Sequence, residues 1–317
     1  MQRLVALDLG SGGTKMEVLD RDGASGGLTL HEIERRQCQR GVGLKDDLDA
    51  HGGSFSPAVT EELLGVLADL LALAAAQQPA VPQEQLRCAA VATAAFREAA
   101  NGEAVCAEIQ RRLGLAVQIV TQTEEAQLGF LSAVEAAGPD ADPRSVVVFD
   151  MGSGSFQVAA LRRDGGGSAE QPQQVGDFSR GIGFTSLIHS FQTQVRGADT
   201  GNFEIRLSFD AQMDGAELYP VSAEDVAAFA SFVDGVLDGD GEDAVAWLQA
   251  VLAEPSTQVL GIGGIPLMLP AVATRAQEVT LVEVEAAVER RVGLTSEEIK
   301  AAEPELHPNL VPWMLLP

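Results

Sequence analysis

Apolar and polar positions follow a distinctive order at the start of the chain. Leu4-Val5-Ala6-Leu7-Asp8-Leu9 is a short apolar run carrying an aspartate near its end, followed by Gly10-Ser11-Gly12-Gly13-Thr14 and a return to apolar sequence. The same order recurs in Val146-Val147-Val148-Phe149-Asp150-Met151-Gly152-Ser153-Gly154-Ser155, with the two aspartates 142 residues apart. Each copy predicts a strand, a tight turn of small residues and a second strand. Residues 59–76 repeat with a 3.6-residue period and predict a helix, with Pro57 at its start and Pro79 beyond its end. Residues 28–39 alternate as a further strand, 40–44 read as a loop and 86–93 as a buried strand. A helix over 102–113, a strand over 117–120 and a helix over 124–137, stopped by Gly138-Pro139, complete the first half. In the second half, 164–168 predict a hairpin tip, a helix begins near Thr185, and Ser222-Ala223-Glu224-Asp225 has the form of a helix start. Residues 259–264 make a third strand-to-glycine turn, and Thr280 and Thr295 open the last two helices, the first running to Val292. Strands first and helices later, twice over, predict an α/β chain of two duplicated domains, 1–123 and 124–317, with a cleft between them.

Composition narrows the class. With 46% apolar and 5% aromatic residues, the chain is that of a globular protein with room for two cores. Residues 1–3 run directly into the first strand, and the most apolar stretch, 63–76, carries Asp69 and is too short to cross a bilayer. Both features predict a cytoplasmic protein with no membrane partner. The 46 acidic and 21 basic residues give a formal charge of −25, which weighs against a nucleic-acid partner. The same charge repels any polyanion at long range, so local arginines or divalent cations have to overcome it. Cys38, Cys88 and Cys106 form no C-x-x-C pair and are expected as buried, reduced thiols. His31, His51, His189 and His307 are scattered singly, so a histidine-based metal centre is not expected.

The chemistry that the hairpins favour is anion binding. Glycines let backbone N–H groups approach a phosphate closely, and a carboxylate at the strand end is placed to hold a metal ion. Two further segments stand out, Thr93-Ala94-Ala95-Phe96-Arg97-Glu98-Ala99-Ala100-Asn101-Gly102 and Thr123-Glu124-Glu125-Ala126-Gln127-Leu128-Gly129. Together with the two hairpins, Arg40-Gly41-Val42-Gly43-Leu44 and Gly261 to Gly264, they resemble the exopolyphosphatase and guanosine pentaphosphate phosphohydrolase (Ppx/GppA) family. The resemblance implies two duplicated actin-like (ribonuclease H-like) α/β domains with an interdomain cleft. It implies hydrolysis of a terminal phosphoanhydride bond in inorganic polyphosphate or guanosine pentaphosphate, with Mg²⁺ or Mn²⁺ as cofactor, and a homodimer as a further family property. Carried over residue by residue, it makes Glu125 the catalytic base and Arg97 the clamp on the transferred phosphoryl group. Asp150, with Asp8 and Gln157, would hold the metal. Phosphate would be met by Gly10, Ser11, Gly12, Gly13, Lys15 and Arg40 in the first half, and by Gly152, Ser153, Gly154, Ser155, Gly263 and Gly264 in the second.

The chain also departs from that pattern. Where the family carries a glutamate seven residues after the second aspartate, this sequence has Gln157, which removes a charge beside the metal. At roughly 4 Å and an effective dielectric near 20, one charge pair is worth about 4 kcal/mol before desolvation. Lys15 stands where the family has arginine and keeps the charge without the planar fork. Ser153 replaces a glycine of the second turn, and Ser179-Arg180-Gly181-Ile182-Gly183 matches the family's glycine turn only in part. These changes leave open a catalytically weak sensor of polyphosphate or alarmone with the same fold. An actin-like sugar kinase ranks lower, because the catalytic aspartate before a Gly-Thr-Gly turn is missing.

Overall fold

A computed structural model describes residues 1–152, 154–161, 175–180, 183, 187, 220–237, 246–264 and 279–302. The chain divides into two compact units, the first including Met1–Gln122 and the second beginning at Thr123.

The first unit is built on a six-stranded sheet. Strands β1 (Gln2–Gly10) and β2 (Gly13–Arg21) form an antiparallel hairpin, and β3 (Leu28–Leu30) pairs with the far end of β2. Strands β5 (Arg87–Ala92) and β6 (Val117–Ile119) extend the sheet in parallel on the other side of β1. The alternation of β1 turns Arg3, Val5, Leu7 and Leu9 into the core and leaves Gln2 and Ala6 exposed. Against this face packs helix α3 (Pro57–Ala76), which buries Val59, Leu63, Leu64, Leu67, Leu70, Leu71 and Ala74. These positions fall on one stripe of a 3.6-residue period, and each large one contributes about 1.5–3 kcal/mol on leaving water. The Ser56 hydroxyl oxygen accepts the Val59 N–H at 3.1 Å and caps the helix start, with Pro57 in its first turn. Helix α5 (Gly102–Leu113) buries Val105 and Ile109 in the same core and ends on Gly114, whose φ of 68° is left-handed.

Between β3 and α3 the chain differs from the sequence reading. The expected strand over 28–39 is only three residues long and gives way to a short helix, α1 (Arg35–Cys38). Residues 39–41 form β4 (Gln39–Gly41), paired with β2 so that Gly13 faces Gly41 and Thr14 faces Arg40. The expected loop over 40–44 therefore begins as a strand, because two facing glycines let the backbones meet. Helix α2 (Leu44–Ala50) follows. The thiols also differ from expectation: Cys88 is exposed at the unburied start of β5, and Cys38 and Cys106 are half-buried.

The second unit carries a four-stranded sheet in the order β10 (Gln258–Gly263), β7 (Val146–Met151), β8 (Phe156–Leu161), β9 (Val175–Arg180). Its central strands are covered on both faces, which is why they read as continuous apolar runs. One face packs Val146, Val148 and Ala159 against Ala126, Phe130 and Ala133 of helix α6 (Gln122–Ala137). The other packs Val147, Phe156, Val158 and Ala160 against Leu248 and Val251 of a helix over Ala246–Leu252. At the expected helix starts Ser222, Thr280 and Thr295, the cap N–H donates to the carboxylate three positions on, and the backbone N–H of that acidic residue donates back to the cap hydroxyl. The helix after Thr280 stops at Glu289, earlier than expected. The hairpin tip over 164–168 and the helix near Thr185 lie outside the described residues. Among the described residues no helix is long and apolar enough to cross a membrane.

The two hairpins share one register. In the first, Asp8 faces Lys15 and Gly10 faces Gly13 across a two-residue turn. In the second, Asp150 faces Gln157, Met151 faces Phe156, and the Gly152 N–H donates to the Ser155 carbonyl at 2.9 Å. Adding 142 to the first set of positions produces the second. The parallel neighbour ends alike in both: the Thr93 N–H donates to the Leu9 carbonyl, and the Gly264 N–H to the Met151 carbonyl.

Candidate active site

In the first unit the turn at Ser11-Gly12 is the centre of a web of backbone bonds. The Gly12 carbonyl accepts the Val42 N–H at 3.3 Å, and the Ser11 carbonyl accepts the Lys45 N–H at 3.1 Å. A Cβ on Gly13 would lie 2.5 Å from the Arg40 carbonyl oxygen, so the close approach of β4 requires glycine there. Gly10 and Gly13 are not left-handed, and space rather than φ is what restricts them: a Cβ on Gly10 would lie 3.2 Å from the Gly13 carbonyl oxygen.

Ser11 has a second task. Helix α4 (Ala94–Glu98) carries Arg97, and its own N-cap residue, Thr93, makes no side-chain cap bond. The Ser11 hydroxyl supplies the missing oxygen, accepting the Ala95 N–H at 3.2 Å while 5% exposed. Arg97 in turn donates from Nη1 to the Val120 carbonyl at 3.0 Å. Arg40 donates from Nη1 to the Gln39 carbonyl at 3.3 Å and lies in β4 beside the turn.

Lys15 and Asp8 form an ion pair, Nζ to Oδ2 at 3.1 Å. Both side chains are well exposed, so the pair is worth no more than about 1 kcal/mol. The other carboxylate oxygen, Asp8 Oδ1, is buried and has no hydrogen-bond partner among the described residues.

In the second unit the Asp150 carboxylate lies beside two glycines. A Cβ on Gly129 of α6 would lie 3.4 Å from Asp150 Oδ2, and one on Gly263 would strike Asp150 Oδ1 and come to 2.6 Å from the Met151 carbonyl. Gly263 also has φ of 70°, so both conformation and space restrict that position to glycine. Glu125 lies one helical turn before Gly129 on α6, hence on the helix face that meets the Asp150 carboxylate. Glu124 and Glu125 are half-buried in the first turn of that helix, where a negative charge suits the N-terminal dipole. Gln157, 1% exposed, donates from Nε2 to the Ser155 hydroxyl at 2.9 Å. Gly152, Gly154 and Ser155 lie in the turn that follows Asp150, the Gly264 N–H donates to the Met151 carbonyl, and Ser153 lies outside the described residues.

Lys45, whose backbone meets the first turn, carried no signal in the sequence: its side chain is 18% exposed, and its ammonium meets Asp49 Oδ1 at 2.9 Å and Glu98 Oε2 at 2.8 Å. Burial works against that charge, yet the bonds to Glu98 and Asp49 raise its pKa above the ordinary lysine value.

Among the described residues no group of three or more His, Cys, Asp or Glu side chains could hold a metal. A metal caged by protein alone does not fit there. The buried Asp8 Oδ1, without a hydrogen-bond partner among the described residues, is an oxygen of the kind that a hard cation such as Mg²⁺ takes alongside water and phosphate oxygens.

Comparison with known proteins accords with these turns. Residues 23–206, more than half of the chain, match the Ppx/GppA phosphatase family. The Exopolyphosphatase 2 of Mycobacterium tuberculosis is 30% identical over 166 residues, 50% of this chain and 48% of that protein. The chain thus spans about half the length of the curated relatives it matches. In fold it is similar to the Ppx/GppA family member of Aquifex aeolicus, with a TM-score of 0.64 at 18% identity over 99% of this chain and 87% of that one. It is equally similar to an exopolyphosphatase of Cytophaga hutchinsonii, with a TM-score of 0.64 at 16% identity and the same coverage. The fold expected from the sequence, two actin-like α/β domains, is the fold of these proteins. Paired glycine hairpins in one register, the Arg97 and Glu125 segments, and a match over more than half the sequence converge on one statement: the chain belongs to the Ppx/GppA phosphatase family.

Proposed function

We propose that this protein hydrolyses the terminal phosphoanhydride bond of inorganic polyphosphate with the help of Mg²⁺ or Mn²⁺, and that guanosine pentaphosphate is its second substrate class. The observation that carries the reading is the Asp150 carboxylate lying beside Gly129 and packed against Gly263, with Glu125 one turn before Gly129 on the same helix face. Glu125 accepts a proton at its carboxylate from the attacking water, a task worth about 10² to 10⁴ in rate when the base is well placed. The metal, when bound, supplies positive charge that offsets the phosphate oxygens. Asp150 would hold it in the second unit, and Asp8 is the corresponding carboxylate of the first hairpin. Arg97, Arg40 and Lys15 orient and neutralise the phosphoryl oxygens, and the glycine turns at 10–13 and 152–155 admit phosphate close to backbone N–H groups. The exopolyphosphatase name of the curated relative favours polyphosphate as the first substrate.

A second reading is a sensor that binds polyphosphate or alarmone and turns it over weakly. It is favoured by Gln157, whose amide is buried against Ser155 where a charged metal ligand would serve better, and by Lys15, whose charge is already engaged by Asp8. Phosphate release from long-chain polyphosphate and from guanosine pentaphosphate, with and without Mg²⁺, separates the two. Metal-dependent release that Glu125→Gln lowers at least a hundredfold supports the hydrolase. Tight binding of either anion with no release supports the sensor, and full activity in Glu125→Gln removes Glu125 from the mechanism.

A further inference from the structure

We infer that Lys45 is a positioning residue that fixes the Arg97-bearing helix α4 against the first glycine turn. Three bonds close a circuit. The Lys45 backbone N–H donates to the Ser11 carbonyl at 3.1 Å. The Lys45 ammonium reaches Glu98 Oε2 at 2.8 Å, on the last residue of α4. At the start of α4, the Ala95 N–H returns to the Ser11 hydroxyl at 3.2 Å. Turn, lysine and helix thus hold each other at both ends of α4, with Arg97 between the two anchor points. Helix α4 has only five residues and cannot hold its own geometry by internal bonds alone, so outside anchors decide where its arginine sits.

Lys45 itself is not aimed at a ligand. Its ammonium is occupied by Asp49 and Glu98, and Asp49 fastens it to α2 one helical turn on. Arg97, which precedes Glu98 in α4, is the residue that the proposed hydrolysis uses, and the inference rests on that reading only for the task it gives Arg97.

The test has one arm that needs no activity. Backbone amide exchange at Ala95 is measured in the wild type and in Lys45→Met, Lys45→Arg, Glu98→Ala and the Lys45→Met/Glu98→Ala double variant. Lys45→Met should speed Ala95 exchange at least about fivefold, the range that a partly buried, charge-assisted pair can hold. Glu98→Ala should match it, the double variant should go no further, Lys45→Arg should stay near the wild type, and the Val5 and Leu7 amides should not move. In the second arm, phosphate release from long-chain polyphosphate should show kcat lower in Lys45→Met by about threefold to tenfold with KM nearly unchanged, and rescue by arginine. Unchanged Ala95 exchange, or losses in the two single variants that multiply, would overturn the inference. A raised KM in Lys45→Met that Glu98→Ala does not reproduce would make Lys45 a phosphate ligand instead, and would overturn it equally. A wild type that releases no phosphate removes the proposed hydrolysis, while the exchange arm still decides the role of Lys45.

Discussion

Removing one buried guanidinium should cost the first unit a large share of its stability. Arg3 has no exposed side-chain surface and uses all five of its N–H donors. Nε and Nη2 bind the two oxygens of Asp20 at 2.8 Å each, Nη1 binds the carbonyls of Ala74 at 3.0 Å and Gln77 at 2.7 Å, and Nη2 also binds the Pro79 carbonyl at 3.0 Å. The arginine therefore pairs β1 with β2 and satisfies carbonyls that the last turn of α3 leaves open. In Arg3→Ala the Asp20 charge stays buried without its main partner, a change that costs about 3–5 kcal/mol. With a urea slope of about 2 kcal/mol per molar, the transition of this unit should shift down by about 2 M. Far-UV circular dichroism gives the midpoint, and amide exchange at Val5 and Leu7 assigns it to this unit. Arg3→Lys should fall between the two, since an ammonium cannot reproduce the fork. The Asp20 carboxyl adds a pH signature. The bidentate bond from Arg3 outweighs the opposing effect of burial and, with the bond from His31, lowers its pKa from 3.8 to about 2. A depressed folded-state value means that the contribution, about 2 kcal/mol, is complete above pH 4 and is lost as pH falls toward 2. Asp20→Asn should remove that part of the acid slope. An Arg3→Ala protein with the wild-type midpoint, or acid unfolding unchanged in Asp20→Asn, would refute this account of the pair.

Three further outcomes follow from the sites described. Gly263→Ala places a methyl against Asp150 at a left-handed φ, so phosphate release should fall more than tenfold while the β1 amides stay protected in exchange. Gln157→Glu restores a negative charge opposite Asp150; the Mg²⁺ concentration for half-maximal activity should drop severalfold, and metal-free thermal stability should fall through like-charge repulsion, both readable by titration and a melting curve. The Cys106 thiol is pushed up to about 11 by burial, with Glu103 adding to it, so at pH 8 about one part in a thousand is thiolate and iodoacetamide should label the exposed Cys88 first; faster labelling of Cys106 would contradict its placement.

The hairpins were legible because a turn of fixed length puts partners at fixed spacing: seven residues separate Asp8 from Lys15 and Asp150 from Gln157, and both pairs face each other. Helix starts at Ser222, Thr280 and Thr295 were equally readable, since a cap is a local bond. What escaped were contacts set by tertiary approach. Ser11 caps a helix 84 residues away, and Lys45 meets a carboxylate 53 residues on. Arg3 did leave a trace, for it shares the inward register of Val5, Leu7 and Leu9, and its cross-strand partner Asp20 shares that of Met16 and Val18. A charged residue on the core phase of each strand, at matching positions, is the mark of a buried pair. The strand at Gln39–Gly41 was hidden because nothing local distinguishes two facing glycines from a loop.

The common register of the hairpins has a consequence for charge. Both hairpins offer the same slot, seven residues past the aspartate, yet one is filled by a cation and the other by a neutral amide. The first hairpin carries its own counter-charge, whereas the second keeps a carboxylate whose cross-strand partner brings none. Two hairpins of one register thus differ in charge at a single matched position, and a one-residue exchange at Lys15 or Gln157 is enough to make their charge patterns alike.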